Sequence, residues 1–192
     1  MRAPSTSPFT TSRTARRAAE WWYLNTHVTA ADGREYSLFA AFFALAIQQD
    51  KATGANRYAY SVEWALVDPA GRRYVYDSLL DRSAPEGGIE RIDHGEVTKD
   101  PRFARAMREV FERGAVPLPD RMFQREPRVA WDRLALDFDG NRLVKLDDGR
   151  YELTLAREDG RAGCTLAFEP TKQVGAARAG RRRPRLVGRA HV

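Results

Sequence analysis

The stretch Glu20-Trp21-Trp22-Tyr23-Leu24-Asn25-Thr26-His27-Val28 concentrates the side-chain types that stack on a ligand and hydrogen-bond to it. Alternate side chains of a strand point to opposite faces. Trp21, Tyr23, Asn25, His27 and Thr29 would therefore share one face, an aromatic surface carrying hydrogen-bonding groups. Glu20, Trp22, Leu24, Thr26 and Val28 would share the other, mostly apolar with a single carboxylate. The first face suits ligand contact. The plainer reading is that Trp21 and Trp22 each fill a core and that His27 is a satisfied structural histidine.

Trp and Tyr are costly to leave wet on both faces of one strand, which points to a sheet that is covered or closed on itself. Residues 20 to 29 and 35 to 48 form a hairpin about Asp32-Gly33, and residues 58 to 67 and 72 to 79 another about Asp68-Pro69-Ala70-Gly71. Strand-like runs follow at 130 to 138, 142 to 146, 151 to 157 and 163 to 169, punctuated by Asp139-Gly140-Asn141, Asp148-Gly149 and Asp159-Gly160. The expected fold is mainly β, an antiparallel barrel that is complete or lacks its closing strands. A two-sheet sandwich leaves the same spacing signal.

One short amphipathic helix interrupts the strands. Asp100 caps it, Pro101 opens it, Phe103, Ala106, Met107, Val110 and Phe111 recur at helical spacing, and Gly114 ends it. Arg102, Arg105 and Arg108 occupy the remaining arc. Such a basic arc suits peripheral contact with a membrane, but a helix set between strands more often covers a sheet or a barrel mouth. Residues 80 to 99 and 115 to 129 read as long loops, of a length that often serves as a lid.

With 192 residues, 43% of them hydrophobic, the chain holds one globular domain with a real core. Residues 171 to 192 carry seven basic and no acidic residues, leaving 25 basic against 26 acidic in the rest. The positive charge thus belongs to the tail. That tail lacks aromatic residues and periodicity and reads as a disordered, Arg-rich segment. Its abrupt switch to Arg, Ala, Gly and Pro reads as out-of-frame sequence of a GC-rich gene; a nucleic-acid-binding arm is the lesser reading, and no nucleic-acid partner is expected. Residues 1 to 19 also read as disordered. They have no apolar segment of a signal peptide, so the chain as written is expected in the cytoplasm, and no run is long enough to span a bilayer. Cys164 is the sole cysteine and is expected to pack in a strand. No H-x-H, H-x-x-x-H or C-x-x-C spacing exists, and no P-loop, dinucleotide fingerprint or G-x-S-x-G elbow, so neither a metal nor a cofactor is expected.

Glu20-Trp21-Trp22-Tyr23, the spacer with His27, Asp32-Gly33-Arg34 and the aromatic strand ending Phe42-Phe43 resemble the start of the AttH-like lipocalin family. The family includes the carotenoid 1,2-hydratases, or hydroxyneurosporene synthases. The resemblance is strongest over residues 20 to 48 and loosens toward Pro170, which makes residues 20 to 170 an N-terminal lipocalin-like domain. It implies two such barrels in tandem, with the second absent from this chain, and an elongated isoprenoid-type lipophilic ligand. It also implies acid-catalysed hydration of a C=C bond, a hydro-lyase reaction and not hydrolysis. That reaction needs a carboxylic acid kept protonated in a dry pocket and aromatic faces to stabilise a carbocation. Glu20 and Asp77 are then the candidate acids, ahead of Glu63 and Asp132. His27 could relay a proton or orient the ligand, and Trp21, Tyr23, Asn25, Trp64 and Tyr76 would line the site. Glu63 and Trp64 adjoin on one strand, so only one of them can face inward. The rival function is a non-catalytic lipid-binding or structural barrel.

Overall fold

The computed structural model describes residues 19–130, 132–169 and 187–191, the last as main chain only. Residues 1–18, 131, 170–186 and 192 lie outside the described residues, and with them most of the two segments read as disordered, 1–19 and 171–192. Two sheets make the domain. The first runs in sequence order through β1 (Ala19–Thr29), β2 (Glu35–Gln49), β3 (Asn56–Asp68), β4 (Arg73–Leu80) and the short β5 (Arg121–Met122). Between β4 and β5 lie two helices, α1 (Ala84–Asp93) and α2 (Pro101–Glu112). The second sheet comprises β6 (Arg128–Val129), β7 (Ala135–Phe138), β8 (Asn141–Lys145), β9 (Tyr151–Ala156), β10 (Gly163–Glu169) and β11 (Val187–His191), again as sequential neighbours. The sequence reading placed no strand at β11.

The expected barrel is corrected to two sheets that no ladder joins among the described residues. Closure requires a continuous, staggered hydrogen-bond ladder around the barrel. Strands of 11, 15 and 13 residues in the first sheet give way to strands of four to seven in β7 to β10. At one seam stand β5 and β6, two residues each, too short to carry a ladder across. At the other, β1 and β11 come into contact without pairing. The meander is also not wholly antiparallel. After the helical crossover the chain returns as β5 parallel to β4, with Leu79 opposite Arg121 and Leu80 opposite Met122.

Both sheets bury their facing sides in one core. Trp22, Leu24, Leu38, Phe42, Val62, Trp64 and Leu66 meet Leu136, Phe138, Leu143, Leu153, Leu155, Leu166 and Phe168. Phe138 stands edge-on to Phe42 and Tyr60 at 5.4 Å and to Phe123 at 5.9 Å. Such aromatic pairs add roughly 0.5–1.5 kcal/mol each beyond burial. Asn141 is buried but satisfied: its Nδ2 donates to the Phe138 carbonyl and its Oδ1 accepts from the Ala156 N–H, tying β8 to β9.

The turn signals act as their chemistry demands. Asp139 and Gly140 both have positive φ (59° and 91°), the two-residue turn that matches strand twist in a hairpin. Burial pushes the Asp139 carboxyl up, but hydrogen bonds from the Gln124 N–H and Arg125 outweigh it and hold it below the usual carboxylate range. The Asp100 carboxylate accepts from the Arg102 N–H at 2.9 Å, so the cap read from sequence does open α2.

The single expected helix becomes two. Residues 80 to 99, read as a loop, contain α1. Gly87 and Gly88 depress its helix propensity, and packing against α2 offsets that. Gly88 lies against the Phe111 ring so closely that a Cβ would stand 2.5 Å from it. The glycine that weakens the helix signal is the one that lets the helices meet.

Cys164 is buried in β10, and burial pushes its thiol from 9.0 up to about 11. The folded state therefore holds this proton more tightly than the unfolded chain. Its stabilising contribution is complete below pH 9 and is lost as pH rises toward 11. Denaturant melts at pH 8 and pH 10.5 should show a fall that Cys164→Ala reduces; an equal fall in the variant refutes the assignment.

Candidate functional site

The alternation read for β1 holds: the face read as mostly apolar is buried, and the aromatic, hydrogen-bonding face is the open one. Glu20, Trp22, Leu24 and Val28 point into the core, whereas Trp21 and Tyr23 are 60% and 58% exposed and Asn25, His27 and Thr29 lie beside them in solvent. The register carries this outer surface across the sheet. Trp21 is opposite Phe43, Tyr23 opposite Ala41, Asn25 opposite Phe39 and His27 opposite Ser37. His27 Nδ1 and Ser37 Oγ share a hydrogen bond of 2.8 Å. On β2 the same parity exposes Leu45 and Ile47, and on β4 it exposes Tyr74 and half-buries Tyr76. Half-buried Glu63 lies between Ala41 and Ser78 in the middle of this face.

The other sequence-derived candidates lie on the inner side. Trp64 has no solvent exposure, and its registered neighbour Asp77 is buried next to it on β4. Glu63 and Trp64 do face opposite ways, with Trp64 inward. Arg121 on β5 holds Asp77 in a two-pronged ion pair, its Nη2 at 3.0 and 2.9 Å from the two carboxylate oxygens. Arg121 also pairs with the exposed Glu158. Among the described residues the Trp64 Nε1 has no hydrogen-bond partner.

The proposed set is thus split by the sheet. Trp21, Tyr23, Asn25, His27 and Tyr76 share the outer face, and Glu20, Trp64 and Asp77 the inner. No arrangement of rotamers brings both groups around one ligand, because a strand's thickness lies between them. The correction has a simple cause: both faces of β1 carry aromatics, so parity is readable from sequence but the wet side is not. The residues missed are Leu45, Ile47 and Tyr74, which share the Trp21 parity through the register, and Arg121, which no local pattern announces. Among the described residues no group of three or more His, Cys, Asp or Glu is placed to hold a metal ion, and no helix is long and apolar enough to cross a membrane.

These features define a mainly β, two-sheet module with a packed interior and an open aromatic sheet face. No family model matches the chain, and no curated protein matches it. Among solved structures it is similar to a candidate AttH protein from Nitrosomonas europaea, at 16% identity and a TM-score of 0.49. The likeness covers 88% of this chain and 41% of that one, so the chain spans about two-fifths of its length.

Proposed function

We propose that this chain is a non-catalytic lipocalin-like module of the AttH type that binds an elongated, isoprenoid-like lipophilic molecule on the outer face of its first sheet. One observation carries the reading: Trp21, Tyr23, Leu45, Ile47 and Tyr74 are exposed together on one sheet face. By register Trp21 and Leu45 stand at one end of this face and Tyr74 at the other, with Phe39, Ala65 and Tyr76 between, and exposed apolar surface on a folded domain marks an interaction site. Flat aromatic rings bury much area at little entropic cost, and Asn25 and His27 supply hydrogen bonds at the edge for a polar end group.

Alkene hydration with Glu20 or Asp77 as acid has less support. The acid must stand in a dry pocket among aromatic faces, but Asp77 is the counter-charge of Arg121 and Trp64 is embedded in core. The module's second proposed partner, a further lipocalin-like domain as the sequence resemblance implies, would use the same open face.

Retinol, a polyene whose absorbance overlaps tryptophan emission, tests the face directly. It should quench Trp21 fluorescence saturably, and Trp21→Ser with Tyr74→Ser should weaken binding by about tenfold or more, some 1.4 kcal/mol. Both residues are exposed, so the fold should survive, as a melting curve would check. Undiminished retinol affinity in the double variant refutes the assignment.

A further inference from the structure

A second surface has the chemistry of a binding site and lies on the opposite parity of the same sheet. Three turns converge at one end of the sandwich and enclose a cleft of about 290 Å³. Each contributes an arginine: Arg34 from the β1–β2 turn, Arg73 at the start of β4, and Arg161 from the β9–β10 turn. The floor is apolar, formed by the buried Tyr36 and Leu66 and the half-buried Val75.

The charges do not cancel. Asp68 is the cleft's single carboxylate, and it is fully engaged. Its Oδ2 accepts from Arg34 Nη2 at 3.1 Å, and its Oδ1 accepts from the Gly71 N–H at 2.8 Å. The acids nearby are already engaged: Asp159 pairs with Arg157 at 3.3 Å and accepts from the Arg161 N–H at 3.0 Å, and Glu158 pairs with Arg121. Arg73, registered opposite Asp68, and Arg161 both line the cleft and make no ion pair among the described residues. Unpaired cations over an apolar floor attract an anion that can also bury carbon. A guanidinium's planar fork matches carboxylate and phosphate oxygens in two-pronged geometry, where a lysine would offer only a point charge.

We propose that this cleft binds a small amphiphilic anion, with a carboxylate or phosphate head between Arg73 and Arg161 and an apolar body against Tyr36, Leu66 and Val75. The volume sits at the lower end of the ~300–1,000 Å³ typical of small-molecule sites, which limits the body to a short chain or a single ring. Asp68 sets the specificity: it neutralises Arg34 and repels a second acidic group, so the head is singly placed. The site is independent of the outer face, because Tyr36, Leu66, Arg73 and Val75 have the inward parity and Trp21 and Tyr74 the outward one.

Calorimetric titration of the full chain with octanoate, octyl phosphate, inorganic phosphate and octanol tests it. Octanoate or octyl phosphate should bind saturably, whichever is tighter naming the head group, and octanol should not. Raising the salt should weaken the binding, because Arg73 and Arg161 are exposed. Arg73→Gln with Arg161→Gln should reduce affinity about tenfold or more, equivalent to 1.4 kcal/mol. Trp21→Ser with Tyr74→Ser should leave it unchanged, which separates this site from the outer face. Octanol binding as tightly as octanoate, inorganic phosphate binding as tightly as octyl phosphate, full affinity in the double arginine variant, or no binding of either amphiphile each overturns the proposal.

Discussion

Phe138→Ala is expected to destabilise the domain by about 4 kcal/mol and to lower its melting temperature by roughly 10 °C. Phe138 is fully buried on β7 and touches rings from three other segments: Phe42 on β2, Tyr60 on β3 and Phe123 in the strand-to-strand connection before β6. Its removal opens a cavity where the two sheets meet. Three edge-to-face contacts disappear together with the buried area. The loss is a large share of the ~5–15 kcal/mol that holds a typical domain together. Denaturant melts of Phe138→Ala and Phe138→Leu should rank wild type, leucine, alanine. A loss below about 1 kcal/mol for alanine, the level of an average substitution, would mean that the sheets do not share this core.

That core shows what could be read from residue order. The β1–β2 hairpin follows from alternation on both sides of Asp32-Gly33, and the β7–β8 hairpin from Asp139-Gly140, where both residues take the positive φ that a tight turn needs. The start of α2 follows from Asp100 and Pro101. Each of these is a local decision, made by neighbours in sequence. Features decided at long range were illegible. The choice between barrel and two sheets turns on whether β5 meets β6 and β1 meets β11, and no local spacing reports it. Helix α1 hides behind Gly87 and Gly88 because what Gly88 packs against is Phe111, a residue on another helix. The wet side of β1 was illegible because Trp21 and Trp22 carry the same signal on opposite faces. The arginines of the cleft come from three turns far apart in the chain, so no motif could announce them.

Arg121→Met is expected to cost about 3 kcal/mol, the lower end of the range for stranding a buried charge, because the guanidinium itself is partly exposed. Its carboxylate partner Asp77 has a side chain only 5% exposed, and the pair spans β4 and β5 at the seam between the sheets. Without Arg121 the Asp77 carboxylate keeps its desolvation cost and loses its compensation. The Glu158 contact contributes little, since exposed pairs are worth about 0–1 kcal/mol. Replacing both partners, Asp77→Leu with Arg121→Met, should therefore recover much of the loss, although one more residue has changed. A double-mutant cycle by denaturant melts measures this. If Arg121→Met costs no more than a surface pair, the ion pair is not buried in solution and Asp77 returns as a candidate acid. If the cycle shows the expected coupling, the Asp77–Arg121 pair holds β5 against β4, the one parallel joint of the first sheet among the described residues.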